Sequence, residues 1–178
     1  MSVQSPPRNN PAWIVAGVLG LLTAVLVVLL VHVASVRASD STAAGSTTLS
    51  PTADQLKAVQ SGAIEAANLT TLSRANYDAD FARALAGATG TLRQDLMGKK
   101  AAYLSAMNAG KFDLKSSVVE SAYESESNGK VLILVTINGS HVVDKVVSPI
   151  TTPQRLELTM VKSGGKWLAA DLLAVGVQ

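Results

Sequence analysis

Two histidines, 13 acidic residues and no cysteine bound the side-chain chemistry open to this 178-residue chain. A metal centre needs three or four convergent His, Cys or carboxylate ligands. His32 and His141 stand on opposite sides of a Ser/Thr-rich stretch and cannot begin such a set. A serine nucleophile needs a base within hydrogen-bond reach. Past residue 50 only His141 could serve, and no Gly-x-Ser-x-Gly stretch exists to present the serine. Walker and dinucleotide glycine patterns are also missing, so cofactors are not expected. Asn68-Leu69-Thr70 and Asn138-Gly139-Ser140 match the N-glycosylation pattern, which we read as chance in an alanine-rich chain.

What remains are carboxylates and aromatics, each with an ordinary structural use beside a functional one. Tyr77-Asp78-Ala79-Asp80 precedes Phe81 at the head of a short helix, where Asp satisfies open N–H groups and favours the positive end of the dipole. Tyr103 at helical spacing reads as core with its hydroxyl at the rim. His141 on an alternating segment reads as solvent-facing. Trp167 just past a turn could stack on a ligand, but its alternation with Lys166 and Leu168 favours packing. Gly90 reads as a helix terminator before it reads as a hinge.

The element that must position all of this is residues 13–36, an apolar run of 24 residues without a charge. At 1.5 Å per residue it covers about 36 Å, more than the roughly 30 Å of a hydrocarbon core. Trp13 fits the aromatic interface position, Leu19, Leu22, Leu26 and Leu30 supply bulk, and Val36 closes the run. A cleaved signal would have a shorter apolar region and a small-x-small site, and Val36-Arg37-Ala38 is a poor one. The run reads as a single transmembrane helix. Arg8 and Arg37 balance each other as orientation signals, but twelve residues precede the helix and 142 follow it. The expected arrangement is a cytoplasmic N-terminus with the large C-terminal part outside the cell membrane. Residues 1–12 form a polar tail, 37–50 a flexible linker, and 51–178 an extracytoplasmic domain large enough for its own core. From residue 51 onward there are 13 Lys plus Arg and 12 Asp plus Glu, scattered without a basic stripe, so nucleic acid is not an expected partner. Lys99-Lys100 is read as a solvated helix face.

Within the domain, Ser50-Pro51-Thr52 followed by Gln55 has the spacing of a capping box. Leu56, Val59, Ala63, Ala66 and Ala67 then make a helical stripe that Leu69–Leu72 ends. A short helix over 77–87 places Phe81 and Leu85 on one side. A third over about 91–108 turns Leu92, Leu96, Tyr103 and Met107 inward, and Ala109-Gly110 closes it. Beyond Lys111 the period becomes alternating. Asn128-Gly129 and Gly164-Gly165 mark hairpins. Val131–Val135 is a continuous apolar run of the kind a doubly covered central strand has. Asn138-Gly139 reads as a bulge or turn, with an extended segment from His141 to Val147 after it. Three helices before a four-stranded antiparallel meander give an α+β domain with helices on one sheet face.

Asn68-Leu69-Thr70-Thr71-Leu72, Tyr77-Asp78-Ala79-Asp80, Ala88-Thr89-Gly90-Thr91-Leu92-Arg93, Gly165-Lys166-Trp167-Leu168 and Asp171-Leu172 occur in this order behind a single anchor. In their order and spacing they resemble the mammalian cell entry (Mce)-associated membrane proteins of actinobacteria, over residues 13–173. The resemblance implies a nuclear-transport-factor-2-like (cystatin-like) cone, with helices over a curved sheet. It implies an accessory role beside Mce-complex subunits, which import lipids or sterols through the cell envelope. Such a cone would have a pocket lined by Phe81, Leu85, Leu92, Tyr103 and Trp167. Ketosteroid isomerase, a relative of that fold, uses a pocket carboxylate as base with tyrosine or protonated carboxyl donors. Asp80, His141, Tyr103 and Asp171 are the residues here that could be asked to do so. The expected function is non-enzymatic: a membrane-anchored protein that supports assembly or stability of the import complex. A lipid-binding or isomerase-like pocket domain is the alternative.

Overall fold

The computed structural model describes residues 50–175. The tail 1–12, the 13–36 span and all of the 37–50 linker except Ser50 lie outside them. Among the described residues no helix is long and apolar enough to cross a membrane.

Helix α1 (Ala53–Thr70) starts at the expected capping box, with the Gln55 N–H donating to Thr52 Oγ1 and Thr52 N–H to Gln55 Oε1. A 3₁₀ turn (Arg74–Asn76) leads into α2 (Tyr77–Gly87), followed by α3 (Gly90–Gly110). Lys111, not Gly110, takes the left-handed position that closes α3, at φ 52°. Five strands follow: β1 (Phe112–Ser127), β2 (Lys130–Val143), β3 (Val146–Pro149), β4 (Gln154–Ser163) and β5 (Lys166–Val175). They form one antiparallel sheet in the order β1-β2-β4-β5, with β3 folded back on the far end of β2.

The meander is thus five-stranded where the sequence pointed to four. β2 runs unbroken through Asn138-Gly139, because Gly139 pairs with Ser116 across the ladder. Gly139 has its bare Cα beneath Ile150, where a Cβ would come within 2.9 Å of the isoleucine Cδ1. The turn comes later, at Asp144-Lys145, both at positive φ (49° and 69°). That is the backbone of a two-residue hairpin, reached without the glycine that usually advertises it.

The sheet is covered on one face. Val131, Ile133, Val135 and Ile137 are all at most 1% exposed, while Leu134 between them is 36% exposed. The continuous apolar run therefore alternates in burial, and β2 is not doubly covered. Leu156, Leu158 and Met160 of β4 and Ala169 of β5 join the inner face, against Ala58, Val59 and Ala66 of α1. The buried side of α1 also includes Gly62 and Glu65, whereas Leu56 and Ile64 are exposed. Its small residues let the helix lie close. A Cβ on Gly62 would stand 1.9 Å from Ile133 Cδ1.

Helix α2 is held to opposite edges of the sheet by the segments that flank it. Before it, Leu72 and Leu114 of β1 exchange N–H···O bonds of 3.0 and 2.8 Å. After it, Ala88 bridges Ala169 of β5, and the Thr89 N–H donates to the Ala169 carbonyl at 2.8 Å. Arg74 adds a 3.1 Å ion pair to Asp113 at the β1 side. The Tyr77 hydroxyl donates to the Lys100 carbonyl at 2.6 Å, tying α2 to α3, and Lys100 pairs with Asp78. One member of the Lys99-Lys100 pair is therefore engaged across helices.

Candidate functional site

Glu65 is 2% exposed, one of two buried charged side chains among the described residues. Its position follows from α1: Ala58, Gly62 and Ala66 turn the tightly packed side inward, and Glu65 falls within that side. The carboxyl rests against Gly87 at the end of α2, where a Cβ would come within 1.8 Å of Oε2. A glycine is what lets the acid fit there.

A line of side chains fixes the carboxyl from behind. Asp80 Oδ2 accepts from the Ser73 N–H at 2.9 Å, and Oδ1 accepts from Arg83 Nη2 at 3.0 Å. Arg83 Nε donates to Asn68 Oδ1 at 3.0 Å. Asn68 is thereby oriented with its Nδ2 toward Glu65, donating to Oε2 at 3.3 Å. Glu65 Oε1 has no hydrogen-bond partner among the described residues. An isolated buried carboxylate is costly, so the group protonates more readily than in water. Burial pushes the Glu65 carboxyl up from 4.5 to about 7, with the Asn68 bond opposing it.

Glu65 and Gly87 lie at the floor of a groove of about 460 Å³ between α1 and the start of β5. Lys57, Gln60 and Ile64 line it from α1, and Lys166, Trp167 and Leu168 from β5. Ile64 is 64% exposed, an apolar side chain with its face turned to this opening. Trp167 is steadied by Lys162, whose Nζ lies 5.7 Å from the ring centre and pairs with Asp54 at 2.8 Å. The Lys162 ammonium holds the Asp54 carboxyl below its usual range, and the charge of Lys57 favours the anion too.

Solved structures with this arrangement of helices and sheet were found. The periplasmic domain of DotI matches with a TM-score of 0.55 and 11% identity, over 71% of this chain and 97% of that one. VirB8 of Agrobacterium tumefaciens matches at 0.55 and 9%, over 73% and 99%. CagV of Helicobacter pylori, a VirB8 homolog of a type IV secretion system, matches at 0.54 and 8%, over 70% and 99%. The chain shares the fold of these domains at low sequence identity. No protein-family model and no curated protein matches the sequence.

In this domain the residues singled out from the sequence are dispersed. Asp80 is buried on α2 and is paired twice, as above. Its partners are the preceding turn and Arg83, not open N–H groups of its own helix. Tyr103 is half-buried on α3, and burial raises its hydroxyl pKa. His141 is half-buried on the far end of β2, edge-on to Phe112 at 5.6 Å. Asp171 is half-buried on β5 and accepts from the Leu172 N–H at 2.9 Å. No hydrogen bond or ion pair joins any two of these four. Phe81 and Leu92 are buried, Leu85 and Trp167 half-buried. Of the five residues expected to line a pocket, only Trp167 borders the groove. Glu65 was missed, although it stands three residues after Gly62 and next to Ala66, at the spacing of the small-residue side. Among the described residues no group of three or more His, Asp and Glu could hold a metal ion.

Proposed function

We propose that this chain is a non-enzymatic, membrane-anchored accessory protein whose domain 51–178 docks, outside the membrane, on other subunits of an envelope complex. The observation that carries this is the filled interior. The space between helices and sheet is taken up by Ile133, Ile137, Leu158 and Met160, all below 2% exposure. A fold shared with the periplasmic domain of DotI and with a type IV secretion component supports the same reading. The 13–36 span would anchor the domain and raise its local concentration at the partner. The finer part of the reading is that the complex is an Mce lipid or sterol import system, with Mce subunits as partners. It rests on the sequence resemblance.

A clean deletion tests it. Partner subunits are expected to fall several-fold in the membrane fraction by quantitative immunoblot, with uptake of the cargo impaired, because unassembled subunits are degraded. Normal subunit levels and intact uptake would count against the reading.

A lipid-binding or ketosteroid-isomerase-like domain is the second reading, and Glu65 favours it: a buried carboxyl with one free oxygen is what a pocket acid looks like. The groove that Glu65 floors has no tyrosine among its lining residues to serve as the second donor.

A further inference from the structure

We propose that the groove between α1 and the start of β5 is the docking site itself, and that it takes an extended, acidic segment of the partner protein. In that complex Glu65 donates a hydrogen bond to a carbonyl oxygen of the segment, while Lys57 and Lys166 face its carboxylates. The inference rests on the docking role proposed above and adds its place and the chemistry of its partner.

Three observations carry it. Glu65 Oε1 is buried and without a partner among the described residues, and a buried polar atom left so is costly until something supplies the bond. Asn68 and the Asp80–Arg83 pair fix the other oxygen, so Oε1 is the atom left for an incoming group. The charged groups nearby are of one sign at the opening. Lys57 on α1 and Lys166 on β5 line it, Arg83 on α2 stands behind Asn68, and the acids Asp54 and Asp80 are engaged by Lys162 and Arg83. A basic rim over a neutral acid suits an acidic segment and repels a cationic one. Ile64, exposed, and Trp167 provide apolar contact on either side, in the manner of an anchor flanked by polar rim.

The test uses the full-length protein in its own membranes, with a photo-crosslinking benzoylphenylalanine at Gln60 in the groove or at Val147 on β3, far from it. Crosslinking from Gln60 to a partner peptide rich in Asp and Glu is expected, identified by mass spectrometry, with little from Val147. The exposed double change Lys57→Glu and Lys166→Glu is expected to cut the yield about tenfold. Raising the pH from 6 to 8 should lower the yield for the native protein and leave that of Glu65→Gln, which keeps a donor at every pH, nearly unchanged. A Gln60 crosslink to phospholipid, to a second copy of this chain or to a peptide without acids would overturn the inference, as would indifference to the charge reversal. Crosslinks from Val147 alone, with partners still co-purifying, would move the docking site and leave the docking role standing. Absence of protein crosslinks from both positions, with nothing co-purifying, would remove both.

Discussion

Glu65→Gln is expected to stabilise the domain by about 3 kcal/mol at pH 8 while changing little at pH 5. The carboxyl pKa is 4.5 in the unfolded chain and about 7 in the folded one. Between these values the folded state holds the proton that the unfolded state has lost, so stability falls as pH rises. It is fully present below 4.5, declines through the interval, and levels off above about 7. The gap, at 1.36 kcal/mol for each pH unit, sets the size. Glutamine has nearly the same shape, can accept from Asn68 Nδ2, and carries no charge to bury. Its stability should therefore lack this decline. Urea midpoints of the domain at pH 5, 6, 7 and 8 read the effect directly. Parallel curves for the two proteins would mean that the carboxyl is solvated in solution.

Phe81→Ala should remove a larger share of total stability, about 3–5 kcal/mol, out of the 5–15 kcal/mol typical of a domain. The ring is 1% exposed, lies 5.5 Å from the Tyr77 ring and has Lys100 Nζ 5.6 Å from its centre. Its loss leaves a cavity where α2 meets α3 and weakens the setting of the Tyr77–Lys100 bond. Phe81→Leu, closer in volume, should cost less than about 1.5 kcal/mol. Equilibrium urea denaturation measures both. A cost below about 1 kcal/mol for the alanine would show that this ring lines open space and does not fill it.

The sequence made plain those features whose cause is local. Thr52 and Gln55 satisfy each other across one helical turn, and Gly129, Gly164 and Gly165 supply left-handed backbone at no steric cost, with Asn128 a residue that tolerates it. The turn at Asp144-Lys145 has the same left-handed backbone without glycine, held by the Val142–Val147 and Val143–Val146 pairs around it. Pairing of that kind is settled in three dimensions and leaves no local mark. On α1 a large apolar residue misdirected the reading. Leu56 falls on the apolar stripe of the sequence with Val59 and Ala66, but close approach to Ile133 selects Ala58, Gly62 and Ala66, and size there is a penalty. The same rotation carries Glu65 inward, so a residue that sequence alone leaves on the surface becomes the most deeply buried acid among the described residues. Asp80 drew attention as a candidate for chemistry, and the structure gives it a place one step away, steadying Arg83 and through it Asn68.

Docking and chemistry make different demands on such a domain. A filled core with an open groove at its side suits a protein that holds another, and the groove's acid then tunes how tightly it holds. An isomerase would need its acid, its donors and its substrate volume in one enclosure. The dispersal of Asp80, Tyr103, His141 and Asp171 over α2, α3, β2 and β5 does not provide one.

The most direct test is purification of the tagged full-length protein from native membranes, with identification of what accompanies it. Near-stoichiometric subunits of an Mce import complex are expected, lost when residues 13–36 are replaced by a cleavable export signal. Recovery of the protein alone, or turnover of a steroid by the purified domain, would contradict the proposed role.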